Sequence, residues 1–143
     1  MKTLSEQLKK NYSIIPACDV SVERYEELIK ATADVDGVSA YKLGFVLALS
    51  IGLPRAVEIA RKYTDKPLIY DHQKAATDIP ETGEKFMKTC KAAGIDAVIL
   101  FPQAGPETEK AWIQAAQDEE LGVIVGGLMT HKGYAQSDGG WLA

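Results

Sequence analysis

Between Tyr70 and Lys85 the chain reads YDHQKAATDIPETGEK, which puts Asp71, His72, Lys74 and Asp78 into what should be a short connection. A turn is made best by residues such as Gly, Asn and Ser. It has no need of two carboxylates, an ammonium and an imidazole. Carboxylates beside a lysine hold that lysine in its charged form, and the group of charges can ionise together only because the lysine is present. Such an array suits a reaction in which an anionic group leaves a carbon and a proton takes its place. The lysine is then the acid, and a carboxylate crowds the departing negative charge.

Other polar residues also sit where strands should end. Asp19 closes the run IIPACD, Lys42 interrupts the apolar YKLGF, and GGLMTHKGY (126–134) follows the last apolar run. Each has a purely structural reading. Asp19 can lead into a helix ahead of Ser21, and Lys42 can extend its stem to a rim. Asp78 with Glu81 three residues on has the form of a helix-capping pair. His72 and His131 can be hydrogen-bonded framework residues, and Gly126-Gly127 can simply let the chain leave its strand.

The elements that must position these groups recur regularly. β-prone runs start near Ile14, Tyr41, Leu68, Asp96 and Gly122, at intervals of 27, 27, 28 and 26 residues. Between them lie helical patterns. Ser21 is placed to cap VERYEELIKAT, whose Val22, Tyr25, Leu28, Ile29 and Thr32 share a face. Pro54 and Pro106 open two further helices at first-turn positions. A fourth helix starts near Ile79, buries Phe86, Met87, Cys90 and Ala93, and stops at Gly94. Strand and helix alternate and the strands are mostly apolar, which predicts an α/β fold with a parallel sheet. The even interval favours a TIM-type (β/α)8 barrel over a doubly wound sheet. Residues 1–143 are expected to form a single domain of about five βα units, an incomplete barrel preceded by a short helix carrying Leu4 and Leu8. The chain is then either a fragment of a longer protein or one that completes its barrel from another chain.

Composition narrows the function classes. Apolar residues make up 46% and charged residues 25%, the balance of an ordinary globular domain. A net charge of −4 with scattered Lys and Arg predicts no nucleic-acid partner. Cys18 and Cys90 have no partner at metal-ligand spacing and read as buried free thiols. The longest apolar stretch, LGFVLALSIGL (43–53), is far below the roughly 18 residues of a membrane span. The first twelve residues lack the apolar core of a signal peptide. The expectation is a cytoplasmic protein without membrane contact.

The chain resembles the orotidine 5′-phosphate decarboxylases, in particular their archaeal-like branch. The resemblance runs through PACDV, YKLGF, DHQKAATDIPETGEK, AGIDAVILF and GLMTHKGY in that order. It implies an enzyme, a carboxy-lyase of de novo pyrimidine biosynthesis that converts orotidine 5′-phosphate to uridine 5′-phosphate with no metal and no organic cofactor. It implies that Lys74 protonates the C6 carbanion left after carbon dioxide departs, with Asp71 against the substrate carboxylate. Asp78 and Thr82 would reach across a homodimer interface to the ribose in the neighbouring site. Asp19 and Lys42 would hold ribose hydroxyls and complete an alternating charge network, and Thr130 would read the pyrimidine amide edge.

Two features depart from the family pattern. The usual element is Asp-x-Lys-x-x-Asp, whereas here each gap is one residue longer, so convergence requires a bulge or an irregular loop after Tyr70. The family's phosphate-binding groups follow the seventh and eighth strands, beyond these five units, so the 143 residues alone are expected to be poorly active or inactive. Two other readings compete. A Mg²⁺-dependent sugar-phosphate decarboxylase or aldolase of the same superfamily would place a metal-binding Glu where this chain has Lys42, and a protonated lysine cannot ligate a cation. A non-catalytic half barrel would serve only in folding or assembly.

Overall fold

The computed structural model describes residues 12–73, 75–127, 129 and 131–140. The expected N-terminal helix with Leu4 and Leu8 lies outside them. Four strands form one sheet: β1 (Tyr41–Leu43), β2 (Leu68–Tyr70), β3 (Ala97–Leu100) and β4 (Gly122–Val125). All are parallel and lie in sequential order, with Lys42 opposite Ile69, Ile69 opposite Ala97, and Ile99 opposite Ile124. Sequential order with right-handed crossovers puts every crossover helix on one face, as a barrel requires. A doubly wound sheet reverses its order instead.

The helices are α1 (Val22–Thr32), α2 (Phe45–Ile51), α3 (Leu53–Arg61), α4 (Thr82–Ala92) and α5 (Pro106–Asp118). Ser21 caps α1 as expected, its hydroxyl accepting from the Arg24 amide at 3.3 Å. Proline stands in the first turn of both α3 and α5. Gly94 follows α4 with φ of 85°, a left-handed conformation that closes the helix end at little cost to glycine.

Three expectations need correction. The run starting at Ile14 is not a regular strand. It touches β1 through isolated parallel bridges, Ile14 to Val38 and Ala17 to Lys42. Pro16 between them has no amide to donate, and the register slips by one residue from one bridge to the next. The apolar YKLGF leaves the sheet after Leu43, because Phe45 already begins α2. α4 begins at Thr82 rather than near Ile79, with Glu81 at its N-cap and no side-chain capping bond.

Alternation along the strands divides the apolar residues between two cores. Tyr41, Leu43, Leu68, Tyr70, Val98 and Leu100 pack with the helices in the larger one. Ala40, Ile69 and Ala97 form a second core on the opposite face, with Ile15, Ile99 and Ile124 against them. Lys42 lies between Tyr41 and Leu43, and so has the parity of this second face. Asp71, two residues beyond Ile69, shares it, and its amide extends the ladder by donating to the Leu43 carbonyl at 2.9 Å.

Candidate functional site

Lys42 is the centre of a chain of three charges. Its Nζ donates to Asp71 Oδ2 at 3.0 Å and lies 3.7 Å from Asp19 Oδ2. The carboxylate side chain of Asp71 is 8% exposed, that of Asp19 37%, and the lysine between them 24%. Burial alone would lower the Lys42 pKa. The hydrogen bond to Asp71 and the attraction of Asp71 and Asp19 outweigh it and raise the pKa above the ordinary lysine value. Lys42 is therefore a fixed positive charge rather than a proton donor near neutral pH.

Backbone contacts place these side chains at one end of the sheet. The Cys18 amide donates to the Lys42 carbonyl at 2.8 Å, which brings Asp19 alongside β1. Asp71 follows β2 directly, and its Oδ1 accepts from the Gln73 amide at 3.2 Å, closing a tight side-chain turn. The described residues from there to α4 form turns and bends rather than a regular element. Gln73 and Ala76 both adopt left-handed backbone, with φ of 65° and 64°. One lies in each lengthened gap, on either side of position 74. A non-glycine residue there costs on the order of 1–2 kcal/mol. Ala75 and Ala76 are buried, and the Phe101 amide donates to the Ala75 carbonyl at 2.8 Å, tying this loop to the end of β3. Lys74 lies outside the described residues.

Asp78 and Thr82 do not join the Asp19–Lys42–Asp71 chain. They line a separate open cleft of about 440 Å³ together with His72, Thr77, Phe86 and Trp112. Asp78 does not cap α4, since its Oδ1 accepts from the adjacent Ile79 amide at 2.8 Å. Its carbonyl accepts from Thr108 Oγ1, and the Ile79 carbonyl accepts from both Thr82 Oγ1 and Trp112 Nε1. α5 thus holds the DIP turn from behind, leaving the Asp78 side chain and Ile79 exposed.

His72 has a framework partner, as its structural reading anticipates: Nδ1 lies 2.7 Å from Tyr70 Oη. Its ring also contacts those of Tyr70 and Phe86. Desolvation lowers the imidazole pKa and nearby Asp71 partly opposes that shift. His131 sits edge-on to Tyr134. Tyr134 Oη accepts from Gln103 Nε2 at 3.1 Å, which links the loops after β3 and β4. Thr130 lies outside the described residues. Sequence reasoning did not bring Phe86 and Trp112 to the cleft, because an aromatic at helical spacing reads first as core.

A family model described as "Orotidine 5′-phosphate decarboxylase / HUMPS family" matches residues 13–139. The chain is 35% identical over 130 residues to the orotidine 5′-phosphate decarboxylase of Methanosarcina mazei, covering 90% of this chain and 56% of that protein. Among solved structures it is similar to the orotidine 5′-monophosphate decarboxylase of Methanocaldococcus jannaschii complexed with the inhibitor BMP. The TM-score is 0.76 and the identity 30%, over 90% of this chain and 57% of the other. A second similar structure is the orotidine 5′-phosphate decarboxylase from Pyrococcus horikoshii OT3, with TM-score 0.62 and 25% identity, covering 78% of this chain and 50% of that one. The chain spans 50–57% of the length of these relatives. Its architecture is that of an incomplete (β/α)8 barrel.

Proposed function

The chain belongs to the orotidine 5′-phosphate decarboxylase / HUMPS family, and on that premise we propose that it carries the catalytic half of an orotidine 5′-phosphate decarboxylase site. The observation that carries this reading is the run of alternating charge Asp19–Lys42–Asp71 at the ends of successive parallel units. Binding at strand C-terminal ends is the rule for such folds. In the proposed reaction the bond from C6 of the pyrimidine to its carboxylate breaks and carbon dioxide leaves. The electron pair stays on C6, and Lys74 delivers a proton there to give uridine 5′-phosphate.

Asp71, almost fully buried and anchored by Lys42, presents negative charge where the substrate carboxylate would sit. Lys42 and Asp19 face the ribose hydroxyls, and Thr130 the pyrimidine amide edge. Asp78 and Thr82 serve the neighbouring site of a homodimer, which accords with their position on a cleft apart from the Lys42 chain. The protein acts in the cytoplasm without metal or organic cofactor. No helix among the described residues is long and apolar enough to cross a membrane. The Mg²⁺-dependent alternative gains nothing from the geometry, since an ammonium engages both carboxylates that would otherwise be offered to a cation.

The test is the ultraviolet absorbance of orotidine 5′-phosphate with the purified chain and a Lys74→Ala control, alongside titration with uridine 5′-phosphate. A decline abolished by the substitution supports the reading. Turnover is expected to be slow, because the family's phosphate-binding groups lie in the part of its relatives that this chain does not match. Neither turnover nor saturable nucleotide binding would overturn it.

A further inference from the structure

Gly44 lies between β1 and α2, and its φ of −99° and ψ of −176° are extended values that any residue adopts. Glycine is therefore not required there by the backbone. Space is the constraint. A Cβ placed on Gly44 would lie 1.7 Å from Asp19 Oδ1 and 2.9 Å from Asp19 Cγ, closer than side chains pack. The Asp19 carboxylate thus lies against the bare α-carbon of Gly44 with one oxygen, while the other faces Lys42 at 3.7 Å. No other ion pair of Asp19 is formed among the described residues. At 37% side-chain exposure it has room to swing outward if displaced.

We infer that Gly44 is a positioning residue: its missing side chain seats the Asp19 carboxylate beside Lys42 and so completes the outer end of the charge chain. A methyl group at position 44 pushes Asp19 away from Lys42 but leaves the 3.0 Å contact between Lys42 and Asp71 untouched. The consequence for ligands rests on the decarboxylase reading, in which Asp19 and Lys42 together grip the ribose hydroxyls. Gly44→Ala then acts on binding as Asp19→Ala does, although residue 44 itself presents no polar side chain to a ligand.

A double-mutant cycle over Gly44→Ala and Asp19→Ala tests this. The three atoms nearest to a Cβ at position 44 all belong to the Asp19 carboxylate group, and Asp19→Ala deletes them. Because the displaced carboxylate can swing into solvent, Gly44→Ala is expected to lower the melting temperature by about 1–3 °C in the parent chain and not to lower it in the Asp19→Ala background. Each single variant should weaken uridine 5′-phosphate binding by about tenfold, and the double variant no further than either. An equal loss of melting temperature in both backgrounds, or binding losses that multiply, would overturn the inference. The background-dependent stability loss in a parent chain that shows neither turnover nor nucleotide binding would uphold the seating of Asp19 and sink the decarboxylase reading instead.

Discussion

At the scale of the residue, Lys42 is a charge whose pairing bears on stability as well as on the proposed site. It stands on a strand between buried Tyr41 and Leu43, with Asp71 held at 6% exposure beside it. A buried carboxylate that loses its cation keeps the full penalty of desolvation, whereas an intact pair roughly balances it. Lys42→Met is therefore expected to destabilise the chain by about 2–3 kcal/mol in urea unfolding. Adding Asp71→Asn should recover part of that loss, because the amide carries no charge to strand. If the single variant is as stable as the parent, the pair is not a structural element.

At the scale of the element, α4 and α5 decide where the DIP turn points. Gly83 lets the two helices approach: a Cβ there would meet Trp112 Cδ1 at 2.9 Å and Cγ at 3.0 Å. Trp112 in turn holds the Ile79 carbonyl through Nε1 at 3.1 Å. Gly83→Ala is expected to cost about 1–3 kcal/mol through overpacking, less the gain in helix propensity. It should also shift the indole fluorescence as the ring leaves the turn. Unchanged stability and spectrum would mean that the close approach at Gly83 does not fix the position of Trp112 against the turn. Arg61 and Asp96 form a second tie, at the opposite ends of the strands. Arg61 Nη2 donates to Asp96 Oδ2 at 2.7 Å, and the same oxygen accepts the Leu68 amide at 2.8 Å. That ion pair joins α3 to the starts of β2 and β3, so charge at one end of the sheet serves the framework while charge at the other faces the candidate site.

At the scale of the whole molecule, the buried acids set the response to alkali. Burial raises the thiols of Cys18 and Cys90 to about 12 from 9.0, with Asp19 adding to the shift at Cys18, and burial raises the Tyr70 phenol to about 12. These groups lose protons more easily when unfolded. Their contribution is complete below about pH 9 and is lost as pH rises toward 12. Lys42, also raised, contributes below its ordinary value of 10.5 and fails above it. Stability measured by urea titration should fall progressively from pH 9 upward, and Cys90→Ala should make the fall shallower after allowing for its cavity. A flat profile to pH 11 would show that the thiols are solvated.

The class of fold and the positions of the polar residues are legible along the chain, because both follow from local rules. The apolar runs at Leu68 and Gly122, the prolines at positions 54 and 106, and the Ser21 cap each act within a few residues of themselves, and they appear where expected. Where Pro16 breaks a ladder and Phe45 starts a helix, local pattern lost to backbone donors and to packing that a short window does not contain. Which charges meet was decided only in three dimensions. Lys42 and Asp71 are 29 positions apart in the chain, and their contact depends on the register of β1 against β2. Asp78, much nearer Asp71 in sequence, is carried to another cleft by contacts with α5. Side-chain identity is written residue by residue, whereas proximity belongs to the register of strands and the seating of helices.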